Sequence, residues 1–113
     1  MKIWKDFTFD AAHHLTGVPE GHKCGRVHGH TYRLRVFVVG PLDGVTGWIM
    51  DYADIAAKVA IVLDKIDHHD LNEIVENPTT ERLVAYLWGK LTRSLNLDSI
   101  ELSESAGSGC VYP

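Results

Sequence analysis

The chain has 113 residues, of which 45% are hydrophobic. That length favours one globular domain spanning residues 1–113, and the composition excludes a disordered chain. Eleven basic residues against fifteen acidic ones give a net charge of −4, which argues against a protein that binds nucleic acid or an anionic membrane, because such binding depends on neutralising phosphate groups.

The first part of the chain predicts two strands joined by a loop. From Ile3 to His13, apolar residues at odd positions alternate with polar ones, which is typical of a half-buried strand, and His13 ends its apolar face. Residues 16–27 contain three glycines and one proline and are predicted to form a loop. A second alternating strand runs from His28 to Val39, with His28 and His30 on its apolar face.

The middle of the chain predicts two helices. Asp51 is expected to cap the first, whose apolar residues recur at spacings of three and four. The second is expected to begin within residues 77–80, with Asn77 or Thr79 as its cap. The predicted apolar positions are Tyr52, Ile55, Ala56, Val59, Val62, Leu63 and Ile66 in the first helix, and Leu83, Val84, Leu87, Leu91 and Leu95 in the second.

Two further short strands, residues 99–103 and 110–113, complete an order of two strands, two helices and two strands. This order predicts an α+β fold in which the helices cover one face of an antiparallel sheet. Such a small sheet leaves exposed edge strands, which proteins cover or pair with another copy, so we expect a homo-oligomer closed through its sheets. A deep cavity inside a chain this small would take up much of its hydrophobic core, so we also expect a substrate pocket shared between subunits.

The cysteines and the chain ends predict the compartment. The first residues do not resemble a signal peptide, and no apolar run is long enough to span a bilayer, so we expect a cytoplasmic protein that contacts no membrane. Cys24 and Cys110 are then expected to be free thiols, since disulfides are rare in that compartment.

Three histidines indicate a metal site. If the first two strands are antiparallel neighbours, His13, His28 and His30 converge on one face, and three imidazoles with an open fourth position are a ligand set of catalytic Zn²⁺. Two other interpretations stay open: histidines bonded to the backbone, and a closed structural site that also uses Cys24. The open site is preferred because a closed one would need neither a second histidine group nor the nearby basic residues. Those basic residues, which are expected to face an anionic small molecule, are Lys23, Arg26, Arg33 and Arg35.

Six blocks of sequence, in order along the chain, resemble the 6-pyruvoyl-tetrahydropterin synthase superfamily. They are Phe-Asp-Ala-Ala-His at 9–13, Gly-His-Lys-Cys-Gly-Arg-Val-His-Gly-His at 21–30, Gly-Trp-Ile-Met-Asp-Tyr at 47–52, Asp-His-His-x-Leu-Asn at 67–72, Asn-Pro-Thr-Thr-Glu at 77–81, and Glu104. The resemblance extends from Phe7 to Tyr112. The three residues between Cys24 and His28 are similar to those of the bacterial 6-carboxy-5,6,7,8-tetrahydropterin synthases, whereas the pyruvoyl-forming branch has a longer insertion.

This resemblance implies a tunnelling fold, in which three subunits close a barrel, two trimers form a homohexamer, and active sites lie at subunit interfaces. It also implies a zinc-dependent carbon–carbon lyase that converts 7,8-dihydroneopterin triphosphate to 6-carboxy-5,6,7,8-tetrahydropterin, with release of acetaldehyde and triphosphate, on the pathway to queuosine and other deazapurines. One alternative is another reaction on the same side chain, such as pyruvoyl-tetrahydropterin formation or aldol cleavage. The other is a non-catalytic homologue that binds zinc or a pterin.

The resemblance further implies roles for individual residues around a zinc ion held by the three histidines. Cys24 is expected to be the base that removes a carbon-bound proton, because nearby positive charge favours its thiolate. His68 is expected to be the acid/base group, with Asp67 supporting its imidazole.

The substrate-binding residues follow from the same resemblance. Glu104 is expected to anchor the pterin by accepting hydrogen bonds from its amino group and the adjacent ring N–H. Thr79 and Thr80 either bond to the edge of the ring or cap the helix, and the two interpretations are equally supported. The sequence departs from the family at His14, where arginine is common, and at the small, glycine-rich residues 105–109.

Overall fold

The structure is a computed structural model that describes residues 1–113. The strands and helices are β1 (Lys2–His13), β2 (His28–Val39), α1 (Tyr52–Leu63), α2 (Thr80–Leu91), β3 (Leu97–Ser105) and β4 (Ser108–Tyr112). The four strands form one antiparallel sheet in the order β1-β2-β3-β4, and both helices pack against it. The predicted α+β order of elements is confirmed, and neither helix has the length and apolarity that crossing a membrane requires.

The pairing of β1 with β2 positions the ends of both strands. The two strands pair along their whole length, from Lys2 opposite Val39 to His13 opposite His28. Alternate side chains of both strands enter the core, including Phe9, Ala11, Tyr32, Leu34, Val36 and Val38. A register shift of one residue would turn this apolar set to the other face. Burial therefore fixes the register that places His13 beside His28.

Side chains at the N-termini define both helices. Asp51 Oδ1 accepts a hydrogen bond from the N–H of Ala53 at 2.8 Å, which confirms the predicted cap of α1. Thr79 Oγ1 accepts one from the N–H of Arg82 at 3.2 Å, so Thr79 rather than Asn77 caps α2.

The helices bury most of their predicted stripes, with Ala56 and Val62 only partly buried and Tyr52 exposed. The buried residues are Ile55, Val59 and Leu63 in α1, Leu83, Val84, Leu87 and Leu91 in α2, and Ile66 and Leu95 just beyond each helix. The prediction that Tyr52 belongs to this core is wrong, because its side chain is half exposed. As the first residue of α1, it lies at the periphery of the fold beside Ile3 and Trp48.

β1 and β4 are the outer strands of the sheet, and part of the outer edge of β1 is covered. Residues 67–70, which follow α1, run alongside the His13 end of that strand. The N–H of Ala12 donates to the carbonyl of His69 at 3.1 Å, and Ala12 forms a parallel bridge with Asp70. This segment brings the predicted acid/base residues against the sheet.

Candidate active site

Three histidine side chains meet where β1 ends and β2 begins. His13 lies opposite His28 in the strand register, and His30 follows two residues later on the same face of β2. One ligand atom from each of the three rings lies within 4.8 Å of the other two, and the Nε2 atoms of His13 and His28 are 3.0 Å apart. The structure thus brings the three predicted metal ligands together.

Backbone carbonyls orient two of these rings. His13 Nδ1 lies 2.8 Å from the carbonyl oxygen of Pro78, and His28 Nδ1 lies 2.6 Å from that of Arg26. A ring that donates through Nδ1 presents its other nitrogen as a lone pair, and this is the usual way in which proteins prepare a histidine to bind a metal.

The third ring contains a buried atom without a partner. His30 Nε2 is buried and has no hydrogen bond, and burial lowers the pKa of His30, which favours the neutral imidazole that binds metals. A buried polar nitrogen without a hydrogen bond is rare in proteins. This donor set fits a metal ion, and three neutral imidazoles suit Zn²⁺.

Cys24 lies near this cluster in sequence but is not part of it. It is half-buried in a short turn, Lys23–Gly25, where its carbonyl accepts from the N–H of Leu15 at 2.8 Å and its N–H donates to His22 Nδ1 at 3.1 Å. The third member of the ligand cluster is His13 rather than Cys24. The alternative of a closed site made by Cys24, His28 and His30 is therefore not the arrangement that the structure forms.

A cavity of about 420 Å³ adjoins the histidines and contains the predicted substrate anchor. Glu104 Oε2 lies 3.6 Å from His30 Nε2 and 3.9 Å from His13 Nε2, and it accepts a hydrogen bond from Thr80 Oγ1 at 3.2 Å. Thr79 also lines the cavity, but its hydroxyl is used by the helix cap. Of the two threonines, Thr80 is the one whose hydroxyl donates to Glu104.

Neither Cys110 nor Glu81 was assigned to the site from the sequence. Both residues line this cavity. Burial raises the pKa of the Cys110 thiol, and the charges of Glu81 and Glu104 raise it further, so this cysteine stays neutral. The alternation of side chains along β4 could have placed Cys110 on the inner face of the sheet. Cys110 pairs with the buried Leu102, which lies two residues before Glu104 in β3.

The outer edge of β1 holds Asp67 and His68 as a pair. Asp67 Oδ1 lies 2.9 Å from His68 Nδ1 and accepts a hydrogen bond from the N–H of Asp10, also at 2.9 Å. The bond from Asp10, followed by the interaction with His68, lowers the pKa of Asp67. His68 has a φ of 59°, a left-handed conformation that costs a non-glycine residue roughly 1–3 kcal/mol. The predicted interaction between the two side chains is present.

This pair does not face the three histidines of its own chain. The side chain of Asp10 alternates with those of Phe9 and Ala11, which are buried on the same face as His13. Asp10, and the residues beside it, therefore lie on the opposite face of the sheet. A second cavity, of about 540 Å³, lies beside this pair and is lined by Asp10, His30, Thr31, His68, His69 and Asp70, among others.

Two residues of the predicted basic cluster, Arg33 and Arg35, lie away from the histidines. Arg35 binds Asp6 through two hydrogen bonds of 2.7 and 3.0 Å, and Arg33 lies 3.7 Å from the same carboxylate. Both arginines occupy odd positions of β2, whose even positions carry the histidines. Arg33 and Arg35 therefore do not lie beside the histidines of their own chain, because they pair with Asp6 on the other face of the sheet.

Asn72, the last residue of the 67–72 block, has a structural role. Its side chain accepts from the N–H of His14 and donates to the carbonyl of His14, both at 2.9 Å. This bidentate contact fixes the chain immediately after His13, at the point where β1 ends.

Comparisons with known proteins agree with this geometry. The family model described as 6-pyruvoyl tetrahydropterin synthase matches residues 2–113. The 6-carboxy-5,6,7,8-tetrahydropterin synthase of Synechocystis is 36% identical over 97% of this chain and 91% of the relative. The dihydroneopterin monophosphate aldolase of Pyrococcus furiosus is 34% identical over 78% of this chain and 72% of the relative.

The fold matches a solved structure of the same family. The 6-pyruvoyl tetrahydropterin synthase of Caenorhabditis elegans superposes with a TM-score of 0.89 at 25% identity, covering 99% of this chain and 94% of that one. Sequence and fold thus agree over almost the whole chain. The protein belongs to the 6-pyruvoyl tetrahydropterin synthase family of pterin lyases.

Proposed function

We propose that the protein is a zinc-dependent lyase that converts 7,8-dihydroneopterin triphosphate to 6-carboxy-5,6,7,8-tetrahydropterin and releases acetaldehyde and triphosphate. The observation that carries this proposal is the three-histidine cluster, with its buried and unbonded His30 Nε2, beside a cavity that contains Glu104. Bacterial relatives named 6-carboxy-5,6,7,8-tetrahydropterin synthase, at 36% and 30% identity, support this product. The proposal includes the use of this product in making queuosine and other deazapurines.

The three histidines would hold the zinc ion. When bound, Zn²⁺ supplies Lewis-acid stabilisation of negative charge on the oxygens of the substrate side chain. Glu104 would accept hydrogen bonds from the pterin amino group and ring N–H, since a carboxylate matches two parallel donors. Thr80, which already donates to Glu104, would fix the orientation of that carboxylate. A ligand anchored there directs its substituent toward the histidines.

Proton transfer is assigned to two groups. Cys24, held on its turn by Leu15 and His22, would remove the carbon-bound proton, and His68, supported by Asp67, would be the second acid/base group. Because His68 and the three histidines lie on opposite faces of one chain, we propose that His68 acts in the site of a neighbouring copy. The outer strands β1 and β4 offer the edges through which copies would pair into a barrel, with two trimers forming a hexamer.

The direct test is product identification. The zinc-loaded protein is incubated with 7,8-dihydroneopterin triphosphate, pterins are identified by mass spectrometry, and acetaldehyde is assayed. We expect 6-carboxy-5,6,7,8-tetrahydropterin with acetaldehyde. A pyruvoyl pterin without acetaldehyde would retain the family chemistry and reject this product.

Aldol cleavage is the second candidate reaction, favoured by the 34% identity to the Pyrococcus furiosus aldolase. A hydroxymethylpterin in the same assay would establish it. A non-catalytic binding protein is distinguished by Cys24→Ala, which should reduce turnover by about 100-fold or more in a lyase while zinc is retained. In a binding protein the same change should alter nothing measurable.

A further inference from the structure

The carboxylate of Asp10 lies beside the Asp67–His68 pair. One of its oxygens, a carboxylate oxygen of Asp67 and a ring nitrogen of His68 all lie within 4.8 Å of one another. The Asp10 carboxylate also accepts a hydrogen bond from the hydroxyl of Thr31, which faces it from the neighbouring strand. Two carboxylates therefore approach a single imidazole.

This carboxylate is not part of an ion pair with a basic side chain. Asp6, four residues earlier on the same face of β1, is paired with Arg35 and Arg33. Asp10 has the Thr31 hydroxyl as its side-chain partner instead. Its charge is therefore free to act on His68, whose side chain is 76% exposed and whose only other charged partner is Asp67.

The backbone of Asp10 fixes the segment that carries His68. Its N–H donates to Asp67 Oδ1 at 2.9 Å, and its carbonyl accepts from the N–H of His68 at 2.6 Å. Any residue other than proline supplies those two bonds at this position. A substitution at Asp10 therefore removes only the contribution of its side chain and leaves these backbone bonds in place.

We propose that Asp10 is a positioning residue for His68 in the lyase reaction. Together with Asp67, its carboxylate draws the N–H edge of the imidazole toward the sheet, which leaves the other ring nitrogen directed away from the sheet to exchange a proton with substrate. Thr31 holds the Asp10 carboxylate in place. This inference rests on the proposed function, because it gives Asp10 a role only if His68 transfers a proton.

Three variants separate charge from structure. Asp10→Asn keeps the size of the side chain, both backbone bonds and an acceptor for Thr31, but it removes the charge. Asp10→Glu keeps the charge. Thr8→Ser changes an exposed residue on the same strand and face, two positions away, and serves as the control.

Kinetics with the zinc-loaded protein give the first test. We expect Asp10→Asn to lower kcat about tenfold, less than the loss of a general acid or base itself would cost, with KM and zinc content unchanged. Asp10→Glu should recover most of that loss, and Thr8→Ser should match the wild type. A wild-type kcat in Asp10→Asn, or a loss of kcat accompanied by loss of zinc or of melting temperature, would overturn the proposal.

A spectroscopic test does not depend on turnover. In protein with isotope-labelled histidine, the ring resonances of His68, assigned with His68→Gln, should shift in Asp10→Asn while those of His13, His28 and His30 do not. Unchanged His68 resonances would overturn the positioning role even in an active enzyme. If the wild type shows no lyase activity, the proposed function fails, and the resonances alone decide whether Asp10 positions the ring.

Discussion

His30 carries the most specific chemical feature at the scale of single residues. Its Nε2 is buried and unbonded, and leaving a buried polar atom unsatisfied costs roughly 1–3 kcal/mol. The nearest carboxylate oxygen, on Glu104, lies at 3.6 Å, beyond a good hydrogen bond. Metal coordination would satisfy this nitrogen, and the orientation of the His13 and His28 rings by backbone carbonyls prepares the other two ligands.

Replacing His30 should therefore abolish tight zinc binding. We expect the wild type to bind one zinc ion per chain, and His30→Ala to lose affinity by more than the ~10–100-fold that loss of an outer-shell partner costs. Metal content by mass spectrometry and competition with a chelator measure this. His69→Ala is the control, since its exposed ring bonds only to a backbone carbonyl. Equal zinc affinity in His30→Ala and the wild type would contradict the assigned ligand set.

At the scale of secondary structure, the β1–β2 pair is stabilised on its open face by Asp6 and Arg35. The bidentate hydrogen bond from Arg35 is the main reason that the pKa of Asp6 is lowered. A carboxylate with a lowered pKa in the folded protein stabilises the fold at pH values above its unfolded pKa, about 3.9 for aspartate. That stabilisation disappears as the pH falls through the lower folded-state pKa.

The melting temperature should therefore fall as the pH drops below about 4, and part of that fall should belong to Asp6. In Asp6→Asn we expect a lower melting temperature at pH 6 and a shallower decline toward pH 2.5, so that the two curves approach each other in acid. Thermal unfolding followed by circular dichroism across this range measures both curves. Parallel curves would show that the Asp6–Arg35 contact contributes no pH-dependent stability.

The elements that were predictable are those with a local signal. The alternation of β1 and β2 placed His13, His28 and His30 on one face, and Asp51 marked the start of α1. The contacts of residues 67–70 with β1 were not predictable, because Asp10 and Asp67 are 57 positions apart and the bond uses the backbone N–H of Asp10. The alternation of β2 already placed Arg33 and Arg35 on the face opposite the histidines, but their pairing with Asp6 was not predictable, because it depends on the register between β1 and β2.

At the scale of the whole molecule, the residues of the proposed site fall into two halves within one chain. The three histidines and Glu104 form one half, and Asp67 with His68 forms the other, on the opposite face of the sheet. Family membership was predictable from motifs spread along the chain, and the match over residues 2–113 confirms it. A pocket shared between subunits was expected from the sequence, but which residues lie in which half was not predictable, because it depends on the bonds between the 67–70 segment and the outer edge of β1.

The central claim, a lyase site completed by a second copy, is tested most directly by mixing two inactive variants. Cys24→Ala and His68→Ala are purified separately, unfolded together in equal amounts, refolded with zinc and assayed with 7,8-dihydroneopterin triphosphate. If each site takes Cys24 from one copy and His68 from another, half of the sites have an intact Cys24 and half of those also have an intact His68. Random mixing should therefore restore about a quarter of wild-type activity. Mixed oligomers that bind zinc but remain as inactive as either variant alone would contradict the account.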